Sequence, residues 1–270
     1  MQRVDFRTLL LLVTMYALWI GNIALYAAHP LPLALHVLVS AVAIHLAFTI
    51  WHDAAHGSVV LKHRWLNEAI GMVSIFPYMT PFFLQKYVHL QHHARMNEPD
   101  DPNLLYASGS FWSLPLRYLR VLRYARQALR EDLRRPHERA LDLLSLALLA
   151  GVWGFLAWHG WLLGLIVLWL VPFAIAKLVM DWYINWVPHV GLPADRFLGT
   201  RILDVSWLTP LVLGHNYHAI HHLWPRIPWH RYPATFREKR SYLEEHGAPI
   251  EQRVPGLGRL PSVRSDTLAG

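Results

Sequence analysis

Long apolar stretches alternate with polar stretches along this chain, and four of the apolar stretches reach the length of a membrane span. A helix needs about 20 mostly apolar residues to cross the hydrocarbon core of a bilayer. The pattern therefore predicts an all-α integral membrane protein with four transmembrane helices. The predicted spans cover residues 8–28, 33–51, 141–158 and 161–184.

The short links between these stretches predict two transmembrane hairpins. Residues 27–32 join the first pair of spans and residues 159–160 join the second pair, and neither link contains Lys or Arg. Every Lys and Arg except Lys177 lies in the other polar segments, and counting the crossings puts those segments on one side. The positive-inside rule assigns that side to the cytoplasm. We expect both termini and a helical cap there, in a single domain over residues 1–250 with a flexible tail over 251–270.

Two further segments have a recognisable pattern. Residues 69–84 are apolar but are interrupted by glycine and prolines, which predicts a helix that lies at the membrane interface or dips into it. From Arg117 to Arg139, arginines recur every three or four residues with leucines between them. That spacing predicts a basic amphipathic helix on the anionic inner leaflet. A solvated charged face is the alternative.

Composition supports the membrane assignment and limits the chemistry. Of the 270 residues, 54% are hydrophobic and the mean hydropathy is +0.23, which is too apolar for an ordinary soluble domain. The formal charge of +7 therefore points to a membrane surface, and we expect no nucleic-acid partner. Because the chain has no cysteine, disulfides and thiolate metal sites are excluded.

Nine of the 18 histidines form three clusters and one outlier at metal-ligand spacing. Neutral imidazole is the commonest biological metal ligand, and residues four apart share one face of a helix. All nine fall on the predicted cytoplasmic side, so one centre can collect them. They are too many for one ion and suit two. The candidate ligands are His52 and His56; His89, His92 and His93; His218, His221 and His222; and the outlier His189.

Polar residues beside these clusters are candidates for supporting roles. Asn185 lies four residues before His189 and is predicted to hold a metal-bound water or to support a ligand. Glu98, Asp100 and Asp101 follow the second cluster. Their carboxylates either accept hydrogen bonds from ligand ring N–H groups or form a turn and helix cap.

An all-imidazole site near a membrane face favours redox chemistry. Imidazole binds Zn, Cu, Fe and Ni, but a hydrolytic zinc site needs only about three protein ligands. Two redox-active irons can instead activate O₂ and attack an unactivated C–H bond. The location predicts a long apolar substrate. A non-enzymatic membrane metal carrier is a distant alternative, which would place histidines along the spans.

The histidine-rich motifs resemble those of the membrane fatty acid desaturase and hydroxylase superfamily. The matching segments are HDAAHG at His52, HLQHH at His89 and HNYHAIHHLWP at His215, within residues 40–245. Asn185 and His189 reproduce a spacing found at the end of the fourth helix in acyl desaturases of that family. The resemblance implies a cytoplasmic non-haem di-iron centre with O₂ as co-substrate, and it implies all nine candidate histidines as iron ligands.

Within the superfamily, the likeness is greatest to bacterial-type β-carotene hydroxylases, through residues 89–103 and 214–247. The resemblance implies hydroxylation of a carotenoid ring in a bacterial inner membrane, with electrons from ferredoxin or a similar carrier. Fatty acyl desaturation is the alternative, because it shares every ligand. His215 stands where we expect glutamine in those hydroxylases. It is a candidate catalytic residue together with Asn185.

Overall fold

The structure is a computed structural model that describes residues 4–29, 31–120 and 132–254. These residues are mainly helical, with one short pair of strands. The longer helices are α1 (Phe6–Ala28), α2 (Leu33–His56), α3 (Arg64–Ile75), α4 (Phe82–Ala94), α5 (Pro136–Trp158), α6 (Leu162–His189), α7 (His218–Leu223) and α8 (Tyr232–Glu245).

Shorter elements complete the described chain. Strands β1 (Ile202–Leu203) and β2 (Ile250–Glu251) pair in parallel. Single α-helical turns cover Leu104–Ala107, Leu114–Arg117 and Leu208–Leu211, and 3₁₀ turns cover Phe76–Tyr78, Phe111–Ser113, Tyr118–Arg120, His215–Tyr217 and Trp229–Arg231.

The four predicted spans are confirmed as helices long and apolar enough to cross a membrane: α1, α2, α5 and α6. All four extend beyond the predicted bounds, and α1 and α5 do so at their starts, at Phe6 and Pro136. α2 continues through the first histidine cluster to His56, and α6 continues to His189. Hydropathy places the end of a span at the first polar residues, whereas the helix continues because those polar side chains are buried. The arrangement as two hairpins with a cytoplasmic cap stays a prediction.

The chain forms two compact units. The first comprises Met1–Tyr87 and Leu133–Met180, and the second comprises Val88–Asp132 and Asp181–Gly270. The predicted single domain over residues 1–250 stays a prediction, as does the flexible tail, most of which lies outside the described residues. Residues 121–131 of the predicted arginine-rich helix also lie outside them.

In the first unit, polar side chains join α1 to α2 at membrane depth. The Asn22 Nδ2 atom donates to the His36 carbonyl at 2.9 Å and to the Ser40 hydroxyl at 2.8 Å. The Asn22 Oδ1 atom lies 2.7 Å from a ring nitrogen of His36. Because lipid tails cannot hydrogen-bond, polar groups between spans must satisfy one another.

The segment from α3 to α4 reaches the middle of the membrane-spanning helix α1. α3 begins beside the first turn of α5, where Arg64 Nη2 lies 3.0 Å from Glu138 Oε1. Further along, the Val73 carbonyl accepts a hydrogen bond of 2.6 Å from the Tyr16 hydroxyl. Tyr16 is ten residues beyond Phe6 in α1, or ~15 Å along the helix at ~1.5 Å per residue.

The single helix predicted over residues 69–84 is wrong, because the structure interrupts it at its prolines. α3 ends at Ile75, a 3₁₀ turn follows, and α4 begins only at Phe82. The Trp169 indole N–H donates to the Pro77 carbonyl at 2.7 Å, and Met79 has a positive φ of 55°. Irregular backbone is tolerated at membrane depth only where protein groups satisfy it. Residues 69–84 are therefore two helices joined by a break.

The chain then returns towards the first turns of α5. The backbone N–H groups of Phe83 and Leu84 donate to the Asp142 carboxylate at 2.9 and 2.8 Å. Asp142 also forms an ion pair with Arg134. This carboxylate caps the first turn of α4, the helix whose last turns carry His89, His92 and His93, where unsatisfied N–H groups favour a negative charge.

We predict that Gly71→Ala destabilises the protein by about 1–3 kcal/mol, a typical cost of overpacking. An added Cβ at Gly71 would lie 2.1 Å from the Phe82 ring, and Phe82 is fully buried and cannot swing away. The measurement is the thermal unfolding midpoint in detergent. Gly151→Ala in α5 is the control, because nothing lies within 4 Å of that Cβ position. Equal midpoints for the two variants would contradict the close packing of the Phe82 ring against Gly71.

Candidate metal centre

The second unit brings together seven of the nine predicted ligands, and four of them form a compact group. Candidate ligand atoms of His92, His189, His218 and His222 all lie within 4.8 Å of one another. The Nε2 atoms of His218 and His222 are 3.1 Å apart. Two nitrogens that bind one ion at ~2.1 Å are separated by roughly 3–3.5 Å. This group therefore has the spacing of ligands around one metal ion.

Buried nitrogens without hydrogen-bond partners support a metal at this position. Within the described residues, His92 Nε2, His218 Nδ1 and both ring nitrogens of His189 are buried and make no hydrogen bond. Unsatisfied buried polar atoms are costly and rare in native structures. Burial, with the neighbouring His189 adding to it, holds the pKa of His218 well below its ordinary value. His218 is therefore neutral at pH 7, as a metal ligand must be.

Three more imidazoles lie beside this group in the same unit. The Nε2 atom of His93 lies 2.8 Å from His221 Nε2 and 3.2 Å from His89 Nε2. The His93 ring also stacks on the ring of His222, with 4.2 Å between centroids. Seven imidazoles in contact exceed the number that one ion usually binds. His52 and His56 lie in the first unit with their rings 5.1 Å apart, and their recruitment to the same centre stays a prediction.

Asp101 orients one of the candidate ligands. Both of its carboxylate oxygens lie 3.0 Å from His92 Nδ1, which directs His92 Nε2 away from the carboxylate. Asp101 is 1% exposed and also accepts from the backbone N–H groups of Asn97 and Asn103, each at 2.8 Å. Asp101 therefore fits both alternatives predicted for the acidic residues. Its carboxylate contacts the ring of a candidate ligand, and it also accepts hydrogen bonds from backbone N–H groups in a turn. Exposed Asp100 pairs with Arg95 instead.

A chain of hydrogen bonds links Asp101 to α6. The Asn103 side-chain amide donates to Asn185 Oδ1 at 3.0 Å, and Asn185 Nδ2 donates to Asp181 at 2.7 Å. Asp181 also accepts from the Tyr118 hydroxyl. This part of α6, Asp181–Trp186, is π-helical, a local geometry that is frequent at functional sites. Asn185 is thus held at both ends of its amide, and its predicted catalytic role stays a prediction.

His215 is buried, and Tyr232 lies between it and the histidine cluster. Its ring centroid lies 5.7 Å from the ring of Tyr232 and 6.4 Å from that of Tyr183. The Tyr232 hydroxyl lies 3.2 Å from His221 Nδ1. Tyr232 therefore orients the candidate ligand His221, which the spacing of the histidines did not reveal. The sequence signal for Tyr232 was its position within residues 214–247, the segment that resembles the β-carotene hydroxylases. A catalytic role for His215 stays a prediction.

Asn97, in the loop after the second histidine cluster, forms hydrogen bonds to the loop that follows α6. The Asn97 side-chain amide donates to the carbonyls of Pro193 and Gly199 at 2.9 and 2.8 Å. Asn97 has a positive φ of 63°, a conformation that asparagine tolerates better than most residues. These bonds join the segment after His92 to the segment after His189. The ring centroids of His92 and His189 lie 4.8 Å apart.

Arg201 secures the end of α6. Its Nη1 atom donates to the carbonyls of Val187 and Val190 at 2.8 and 3.0 Å, on either side of His189. Burial lowers the pKa of Arg201, and an ion pair of 2.8 Å with Glu251 opposes that effect. Helix ends leave carbonyls without partners, and a buried guanidinium satisfies them here. No sequence motif marks Arg201, because its partners are defined only by folding.

Comparison with known proteins identifies the family. Residues 28–254 match the fatty acid desaturase family model. The chain belongs to the fatty acid desaturase family. It is 30% identical over 229 residues to a β-carotene ketolase from Paracoccus sp. (strain N81106), which covers 82% of this chain and 84% of that protein.

Other relatives are lipid desaturases. A chloroplastic omega-6 fatty acid desaturase from Brassica napus is 27% identical, over 82% of this chain and 56% of its own length. An sn-1 acyl-lipid omega-3 desaturase (ferredoxin) from Synechocystis sp. is 25% identical, over 74% of this chain and 65% of its own length. With its four apolar helices, this family member is an integral membrane oxidoreductase, and its clustered histidines fit a metal site.

We predict that Asp101→Asn weakens metal binding by about 10–100-fold, the usual effect of removing a carboxylate behind a ligating histidine. The measurement is metal per protein, by mass spectrometry, after dialysis against graded chelator concentrations. Asp100→Asn is the matched control, because the exposed Asp100 side chain pairs with Arg95 and not with a ligand. Equal metal retention by the two variants would show that the Asp101 carboxylate does not support His92.

Proposed function

We propose that this family member is a membrane di-iron oxygenase that hydroxylates the ring of a carotenoid, with β-carotene as the favoured substrate. The observation that carries the proposal is the cluster of seven buried or half-buried imidazoles in the second unit. No cysteine is available to compete with them as a ligand.

The residues divide naturally into two groups of ligands. His92, His189, His218 and His222 would hold one iron, and His89, His93 and His221 would contribute to holding a second. The resemblance assigns His52 and His56 to the same centre. When bound, the iron pair supplies the reduction of O₂ that no side chain can perform. Asp101 and Tyr232 keep His92 and His221 in the orientation that ligation needs.

The overall reaction balances with O₂ and an external reductant. One substrate C–H bond becomes C–OH, the second oxygen atom leaves as water, and two electrons and two protons are consumed. We propose ferredoxin or a similar carrier as the electron donor, in line with the relative named for ferredoxin. The positive-inside pattern supports a cytoplasmic centre, and the resemblance to bacterial-type enzymes supports a bacterial inner membrane.

Two observations favour a carotenoid over an acyl chain. The β-carotene ketolase relative is covered over 84% of its length, whereas the Brassica napus desaturase is covered over 56%. The segment from Gly214 to Gly247, which also carries Tyr232, resembles the carotenoid enzymes. Acyl-chain desaturation is the second candidate, because several relatives are desaturases. Membership of an oxidoreductase family disfavours a metal carrier.

We predict that expression changes the pigments of a β-carotene-producing host and leaves the fatty acids of a plain host unchanged. Pigments are analysed by chromatography with mass spectrometry for hydroxylated or keto products, and fatty acids for new double bonds or hydroxyl groups. His92→Ala should abolish the product, because it removes a ligand, while exposed His137→Ala should not.

Four outcomes of these experiments would contradict parts of the proposal. New acyl double bonds without a pigment change would replace the carotenoid proposal with the acyl candidate. A keto product without a hydroxylated one would overturn hydroxylation as the end point. Full product formation by membrane-inserted His92→Ala would contradict the ligand assignment. Purified protein that contains zinc, lacks iron and consumes no O₂ would contradict the oxygenase.

A further inference from the structure

We propose that the first unit binds one acyl chain of a bilayer phospholipid in a cavity between α1, α3 and α5. The cavity measures about 340 Å³. This proposal is independent of the substrate assignment, because every lining residue belongs to the first unit and none is a candidate ligand. The lining comes from Tyr16 of α1, from the segment Met72 to Pro81, and from Ser145 to Leu149 of α5.

The cavity lies at the depth of lipid chains. Tyr16 is ten residues into the 23-residue helix α1, and Ser145 is nine residues into the 23-residue helix α5. Both positions are ~14–15 Å from the start of their helices at ~1.5 Å per residue, near the middle of a hydrocarbon core of ~30 Å. Hydrocarbon is the surrounding medium at that depth, so the available occupant is an acyl chain.

The lining has the chemistry of a hydrocarbon site. Nine of its twelve residues are apolar, and the three exceptions are Tyr16, Thr80 and Ser145. Two of these hydroxyls are already used. Tyr16 donates to the Val73 carbonyl at 2.6 Å, and Ser145 donates to the Leu141 carbonyl at 2.8 Å. A ligand with polar groups along its length would lose hydrogen bonds on entry, whereas an acyl chain loses none.

The cavity is continuous with the surface that faces lipid. Val73, Leu146 and Leu148 line it and are 50%, 42% and 57% exposed. Leu146 and Leu148 belong to a membrane-spanning helix, so their exposed sides meet the bilayer. A chain can therefore enter sideways from the membrane without crossing a polar region. The volume of the cavity falls at the lower end of the ~300–1,000 Å³ typical of ligand pockets. That volume suits part of one acyl chain.

Filling the cavity would support the break between α3 and α4. Phe76, Met79 and Pro81 form one wall of it, and they belong to the irregular segment that dips to this depth. Within a membrane, helices associate chiefly through van der Waals packing, so a gap of this size leaves its walls without contacts. A bound acyl chain restores those contacts.

The first test uses Leu149→Trp, which places an indole in the cavity, and Leu144→Trp as its control. Leu144 lies on the same helix, is 65% exposed and does not line the cavity. Native mass spectrometry of detergent-purified protein counts the retained phospholipid. We expect one phospholipid on the wild type and on Leu144→Trp, and at least a tenfold lower occupancy on Leu149→Trp. Equal occupancy in the two variants would overturn the proposal.

The second test uses the wild-type protein and does not depend on how a variant folds. A phosphatidylcholine with a diazirine in the middle of one acyl chain is photolysed in proteoliposomes. We expect labelled peptides to be enriched at residues 72–81 and 145–149. Uniform labelling of all four spans would overturn the proposal. So would loss of that enrichment on adding β-carotene, because the cavity would then take a carotenoid and not a lipid chain.

Discussion

The buried imidazoles of the second unit impose the constraint on which much of that unit depends. Each ring has two nitrogens, and a buried nitrogen must be satisfied by a hydrogen bond or by a metal. Asp101 contacts one ring nitrogen of His92, and Tyr232 contacts one ring nitrogen of His221. The other nitrogen of His221 faces His93, and His92 is grouped with the candidate ligands His189, His218 and His222. His189 has no hydrogen-bond partner on either nitrogen within the described chain. Several of these buried nitrogens have no hydrogen-bond partner among the described residues, which is the physical reason to regard the cluster as a ligand set.

The same requirement shapes the first unit, where backbone groups at membrane depth need partners. A chain that leaves helical geometry at membrane depth exposes carbonyls that lipid cannot satisfy. Tyr16 and Trp169 donate to the carbonyls of Val73 and Pro77, and Asp142 accepts from the first turn of α4. These bonds make the proline-containing break stable. They also leave beside it the apolar cavity that we assign to a lipid chain.

The polar network around the centre explains how remote residues contribute to it. Asn97 and Arg201 hold the segments on either side of His189, and Asn103 connects Asp101 to Asn185. The candidate ligands therefore lie on α4, on α7 and at the end of α6, next to segments that side chains from elsewhere in the unit hold in place. Such preorganisation reduces the rearrangement that metal binding would otherwise require, and it depends on burial for its strength.

Local physics made the spans and the histidine clusters predictable from the sequence. The length of an apolar run is set by the thickness of hydrocarbon, and ligands spaced by three or four residues share a helix face whatever surrounds them. The choice of Asp101 over Glu98 and Asp100 was not predictable, because burial separates three carboxylates that are equivalent in sequence. Tyr232, Arg201 and Tyr118 were missed for a related reason. Tyr118 meets its partner 63 residues along the chain. Periodicity describes one helix at a time, whereas only the tertiary structure decides which buried polar group faces which partner.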